Sequence, residues 1–170
     1  MAVHVIPADE GKALMQRFVV YKLSGEETEG NFALVEHNLA PRMLAAPVHT
    51  HRDEDEYSYV LEGEIGAEIG GEVVRLPPGT LISKPRGVPH TFWNAGDTPA
   101  RLLEIISPAG FERYFEELSD LLAAGMPAPQ DLAALGEKYG VTFDFSSLER
   151  IVREHQVMLP GMEPPAGGQG

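Results

Sequence analysis

The chain has 170 residues, 43% hydrophobic and 23% charged, a balance that fits one globular domain and excludes a disordered chain. It carries 26 acidic residues against 13 basic ones and a formal net charge of −13, which argues against nucleic acid and anionic membranes as partners. The absence of cysteine excludes disulfides, thiolate metal sites and cysteine nucleophiles together. Met1 to Gly11 shows neither a basic n-region nor an apolar h-region, and no apolar run approaches the ~20 residues that cross a bilayer. A soluble cytoplasmic protein is the expectation.

From Gly11 to Pro108 the chain is rich in β-branched and aromatic residues and is cut by Gly and Pro. Arg17 to Leu23 reads as a strand, Gly25 to Gly30 as an acidic turn, and Asn31 to Leu39 as the returning strand. Further strands are expected at Val48 to His51, Glu56 to Leu61 and Glu64 to Ile69. Gly70-Gly71 is a hairpin signal. Beyond it come Glu72 to Leu76, Thr80 to Ser83, His90 to Asn94 and Arg101 to Ser107. Many short strands with no helix-length pattern between them predict an antiparallel sandwich or barrel. Phe111, Tyr114, Phe115, Leu118, Leu121 and Leu122 then follow helical spacing. Asp131 to Tyr139 predicts a second helix capped by Gly140, and Ser146 to Gln156 a third, with Ser146 and Glu149 as a capping box. The Pro/Gly-rich stretch 160–170 reads as a disordered tail.

His49-Thr50-His51 places two imidazoles on one side of a strand, close enough to share an ion. Glu56 follows after a polar stretch able to turn the chain, and His90 opens a later strand after Pro85-Arg86-Gly87-Val88-Pro89. Three imidazoles and one carboxylate make a mixed N/O site for a divalent first-row metal, with positions left open for water or substrate. The plainer reading of each piece is a surface His-x-His, a solvated acidic run (Asp53 to Glu56) and a core histidine.

The wider spacing decides between them. His49 to Gly63 (HTHRDEDEYSYVLEG) and Gly79 to Asn94 (GTLISKPRGVPHTFWN) resemble the two motifs of the cupin superfamily, in order and with a short gap. The one departure is Met43, where the family often has a turn glycine. The segment after the barrel makes the chain similar to small single-domain quercetin-dioxygenase-like cupins. The resemblance implies an all-β fold: a cupin (double-stranded β-helix, jelly-roll) barrel over residues 1–108 with C-terminal α-helices over 109–159 packed on it. It implies that His49, His51, Glu56 and His90 hold one divalent transition metal (Fe, Mn, Ni, Cu or Zn). Glu56 would double as the base that takes a proton from an acidic substrate hydroxyl. The implied function is a metal-dependent dioxygenase cleaving an enol- or flavonol-like small molecule with O₂. A non-oxidative metallo-cupin (cyclase or isomerase) and a ligand-binding cupin without turnover are the alternatives.

Strand alternation places Ser58 and Val60 on the inward face with Glu56, and Phe92 with His90, as candidate pocket residues. Tyr57, Tyr59 and Trp93 have the opposite parity and should pack on a neighbouring sheet, the helices or a partner subunit. His37 can point either way. His4 and His155 are expected in solvent, Lys84 and Arg86 as turn charges, and Asn94 as a turn-stabilising residue. The apolar strand at Arg17 to Leu23 and the apolar helix faces predict a homodimer.

Overall fold

The computed structural model describes residues 3–160. Ten strands come first: β1 (Lys12–Leu14), β2 (Val19–Leu23), β3 (Ala33–Leu39), β4 (Val48–His51), β5 (Asp55–Glu62), β6 (Ile65–Ile69), β7 (Glu72–Leu76), β8 (Leu81–Lys84), β9 (His90–Asn94) and β10 (Ala100–Ser107). The helices α1 (Glu112–Ala123) and α2 (Pro129–Lys138) follow, then β11 (Val141–Asp144) and α3 (Ser147–His155). Two antiparallel sheets form the barrel, ordered β1-β2-β3-β10-β5-β8 and β11-β4-β9-β6-β7.

Period-two alternation sets which residues enter the barrel. Along β5, Glu56, Ser58 and Val60 are buried while Tyr57 and Tyr59 face out. Along β10, Ala100, Leu102, Glu104 and Ile106 are buried. The register then sets Lys84 and Ile106 beside Glu56, and Ser58 and Val35 beside Glu104. Leu39, Val60, Ile65, Leu76, Phe92 and Leu102 form one apolar cluster, and Val19, Val35, Ile106, Phe111, Tyr114 and Phe115 belong to another. The β6–β7 hairpin turns on Gly70 and Gly71, both at positive φ (59° and 87°), the geometry a two-residue hairpin loop demands. Gly66 pairs with Trp93 across the sheet, and a Cβ there would lie 2.3 Å from the indole.

Several expectations are corrected. The first long strand begins at Val19, because Met15, Gln16 and Arg17 form a left-handed turn (φ 48°, 55° and 70°) that feeds in from β1. Val19, Val20 and Tyr21 are covered by this chain itself, so the apolar strand offers no surplus surface for a partner. Residues 109–159 are not only helical, since β11 joins the barrel and pairs with β4. The capping box at Ser146 is absent, and the Asp144 carboxylate accepts hydrogen bonds from the backbone N–H and hydroxyl of Ser146 instead (3.0 and 2.6 Å). Of the expected tail, residues 161–170 lie outside the described residues.

Candidate metal centre

The barrel brings the four sequence-selected residues together. β4 contributes His49 and His51, the start of β5 contributes Glu56, and the first residue of β9 is His90, paired in register with His49. One potential ligand atom from each lies within 4.8 Å of the others, and all four residues are buried. The backbone aims each ring. Nδ1 of His49 lies 2.9 Å from the Pro47 carbonyl, and Nδ1 of His90 lies 3.0 Å from the Val88 carbonyl, in both cases two residues back along the chain. Nδ1 of His51 faces the Glu54 carboxylate at 3.4 Å. These acceptors suit the Nδ1–H tautomer, which turns Nε2 toward a metal, the side on which His90 Nε2 here meets Glu56 Oε2 as a hydrogen-bond partner. Nε2 of His51 is a buried atom without a hydrogen-bond partner, as a ligand atom facing an ion position would be. The Glu56 carboxylate lies among them, with Oε2 3.1 Å from His90 Nε2 and Oε1 3.3 Å from His51 Nε2. The donor set fits one divalent transition-metal ion.

Burial, with His90 and His51 alongside, holds His49 well below the ordinary imidazole value. Burial pulls His51 the same way, but Glu56 and Glu54 outweigh it and raise its pKa. Burial also opposes the charge on Glu56, yet Lys84, His51 and His90 overcome that and hold the carboxyl well below its usual range.

The sequence reading missed the network behind Glu56. Lys84, expected as a turn charge, is 1% exposed. It is the last residue of β8, one position beyond the expected strand, and its register partner is Glu56. Its ammonium lies 2.9 Å from Glu56 Oε2 and also donates to Glu104 Oε1. Burial lowers the Lys84 pKa, but Glu104 and Glu56 more than reverse this. Glu104 accepts further hydrogen bonds from Ser58 Oγ at 2.7 Å and His37 Nε2 at 2.8 Å. Burial and Glu56 push the Glu104 carboxyl up, while Lys84 and His37 outweigh them and hold it at about 2. Of the acids around Glu56, Asp53 and Asp55 pair with Arg52 and Arg86 near the surface, whereas Glu54 is buried against His51.

A cavity of about 70 Å³ adjoins the cluster, lined by His49, Glu56, His37, Glu104 and an aromatic wall that includes Phe92 and Phe111. Of the three candidate pocket residues, Phe92 lines this cavity, Ser58 reaches it only through Glu104, and Val60 belongs to the apolar core. Trp93 packs with Leu44 and Ile151 under α3, whereas Tyr57 and Tyr59 remain partly exposed. His155 is not a solvent histidine, since its ring stacks on Trp93 with centroids 4.1 Å apart. His4 is exposed. Asn94 stabilises a turn, donating to the carbonyls of Leu39, Ala40 and Thr98 and accepting from the Gly96 N–H. Among the described residues no helix is long and apolar enough to cross a membrane.

Two antiparallel sheets closed on a histidine-lined interior define a double-stranded β-helix barrel. Residues 35–106 match the family described as "Cupin domain", and the two-sheet barrel is the double-stranded β-helix of cupins. It is 38% identical over 60 residues to the tetracenomycin polyketide synthase protein TcmJ of Streptomyces glaucescens, a match covering 35% of this chain and 40% of that protein. It is 24% identical over 119 residues to quercetin 2,3-dioxygenase of Bacillus subtilis, covering 69% of this chain and 35% of that protein. These matches span 35% to 40% of the length of the curated relatives. Among solved structures, a predicted oxalate decarboxylase of Thermotoga maritima aligns with a TM-score of 0.51 and 25% identity, over 53% of this chain and 78% of that one.

Proposed function

We propose that this protein is a metal-dependent cupin enzyme that oxidatively cleaves an enol- or flavonol-like small molecule. The observation that carries the reading is the convergence of three buried imidazoles, each with Nδ1 set against an acceptor, on one carboxylate at the edge of an apolar cavity. His49, His51, His90 and Glu56 would hold the ion. When bound, it would supply Lewis acidity to a substrate hydroxyl and a place for O₂. In this reading Glu56 takes the hydroxyl proton: its carboxylate lines the cavity, and Lys84, His51 and His90 favour its ionised form. The aromatic wall excludes water from the same space.

The likeness to a polyketide synthase protein favours a second reading, a non-oxidative metallo-cupin acting as a cyclase or isomerase. Metal analysis of purified protein, together with an oxygen electrode and quercetin or an enolised diketone, separates the two. We expect stoichiometric metal that His90→Ala abolishes, and turnover that stops without O₂. Glu56→Gln should lose roughly 10²–10⁴-fold in turnover per bound metal. Full metal occupancy in His90→Ala would overturn the site, and turnover under anaerobic conditions would overturn the oxidative reading.

A further inference from the structure

Lys84 ends β8, where strand alternation turns it inward against Glu56. Its ammonium is 1% exposed, behind the carboxylates of Glu56 and Glu104, both of which line the inner cavity. Three partners surround it. Glu56 Oε2 lies 2.9 Å away, Glu104 Oε1 accepts a second hydrogen bond, and the centre of the Phe92 ring lies 4.8 Å from Nζ. Glu104 is itself fixed by Ser58 Oγ at 2.7 Å and His37 Nε2 at 2.8 Å, so the ammonium is anchored on the side away from Glu56. Burying an ammonium is expensive, and a buried ion pair commonly stabilises a fold no more than apolar side chains of the same volume. Stability alone therefore does not account for a lysine here; its place against a candidate metal ligand does.

The two oxygens of Glu56 are not equivalent. Oε2 carries the Lys84 ammonium and lies 3.1 Å from His90 Nε2. Oε1 faces His51 Nε2 at 3.3 Å, and that nitrogen is buried with no hydrogen-bond partner among the described residues. An oxygen that already holds an ammonium has a lone pair and charge committed to it. Oε1 is the oxygen left for an ion.

We propose that Lys84 is a positioning residue for the metal centre: by holding Oε2 it limits Glu56 to one ligand oxygen, Oε1, and so reserves a coordination position for water or substrate. This rests on the proposed function only in placing one divalent ion among His49, His51, Glu56 and His90. A carboxylate can give a divalent ion one oxygen or both. With both, the ion would lose an open position and some of the Lewis acidity that a substrate oxygen would feel. The ammonium also repels the ion as a like charge one carboxylate away, so Lys84 holds the affinity for metal below what the four ligand side chains alone would give.

The test uses the full chain and Co(II) as the probe, with no substrate. Infrared difference spectra of ¹³C-glutamate-labelled protein, Co(II)-loaded minus metal-free, report how Glu56 binds. The antisymmetric and symmetric carboxylate stretches lie far apart for one-oxygen ligation and close together for chelation, and Glu56→Gln identifies the band pair. Wild type should show the wide separation and Lys84→Met/Glu104→Gln the narrow one. The reference for affinity is Glu104→Gln alone, which keeps the ammonium on Glu56. Against it, the double variant should bind Co(II) about tenfold more tightly in competition with a chelating dye, having lost a like charge and gained an oxygen. A merely structural lysine predicts the opposite, because a loosened site binds Co(II) more weakly. A narrow separation in wild type, a separation that stays wide in the double variant, or a double-variant affinity no higher than that of Glu104→Gln would overturn the role of Lys84. The wild-type spectrum decides without any variant having to fold. Wild-type protein that takes up no Co(II) would overturn the metal centre itself, whereas Co(II) taken up with a narrow separation overturns only the role of Lys84, so the two failures are told apart.

Discussion

Replacing Lys84 by methionine removes the one ammonium buried between Glu56 and Glu104. Lys84 is 1% exposed and both carboxylates are 2% exposed, so water cannot replace the lost partner. Breaking such a pair from one side costs about 3–5 kcal/mol, because a buried charge is left uncompensated. Glu56 has partial relief, since His51, whose pKa it raises, lies 3.3 Å away and can take up a proton. Glu104 keeps only His37 and Ser58. We therefore expect Lys84→Met to lose about 3–5 kcal/mol in urea unfolding at pH 7 with chelator present, a large share of the ~5–15 kcal/mol a domain commonly has. Adding Glu104→Gln removes the stranded charge, so the double variant should be more stable than Lys84→Met alone. Excess divalent metal, which would compensate Glu56, should narrow the deficit of the single variant. A Lys84→Met protein within about 0.5 kcal/mol of wild type, or a double variant less stable than the single one, would refute this account of the network.

Acid should unfold the metal-free protein through the same groups. Glu104 at about 2 and Glu56, also held low, lie below the ordinary 4.5, so their contribution is present above about pH 4.5 and is lost as pH falls from there toward 2. For Glu104 it is on the order of 3 kcal/mol, and a thermal melting profile of Glu104→Gln parallel to that of wild type would contradict it. Thr142→Pro should weaken metal binding without touching a ligand, because β11 pairs with β4 through four residues whereas β9 pairs with β4 only at His49 and His90; unchanged metal affinity by calorimetry would show that β4 needs no brace. We expect a homodimer formed not through the N-terminal strand but through the outer face of β5, β8 and β10, where Tyr57, Tyr59, Leu81 and Ile105 are exposed together. Light scattering at micromolar concentration should give a dimer for wild type and a monomer for Tyr59→Glu/Leu81→Glu, and a monomeric wild type would end that expectation.

The strands that carry the ligands were the most legible parts of the chain. Val48–His51 and His90–Asn94 form with the expected bounds because proline and polar turns isolate each run. The inward parity of Glu56, Ser58 and Val60 follows from alternation alone. Lys84 was illegible for a different reason. It stands before Pro85-Arg86-Gly87, which reads as a turn, and only the register β5–β8 reveals that it faces Glu56. Glu104 was hidden inside the apolar run Arg101 to Ser107, where one carboxylate breaks no pattern. β11 has four residues, from the glycine turn to Asp144 inclusive, too few for periodicity to register. His155 did carry a signal: Ser147, Ile151 and His155 recur every four residues on one side of α3, where the first two are buried and His155 is half-buried.

The missed residues bear on why the site wants a cation at all. Lys84, Glu56 and Glu104 are buried together, one positive and two negative, and Glu54 is buried beside His51, so negative charge outnumbers positive around the site. An isolated buried charge is expensive, so something must answer it. In the protein without metal a proton can, and His51 is the imidazole whose pKa is raised by Glu56 and Glu54 against its own burial. Protonated imidazole cannot ligate, so a metal must displace that proton, and affinity should fall with falling pH.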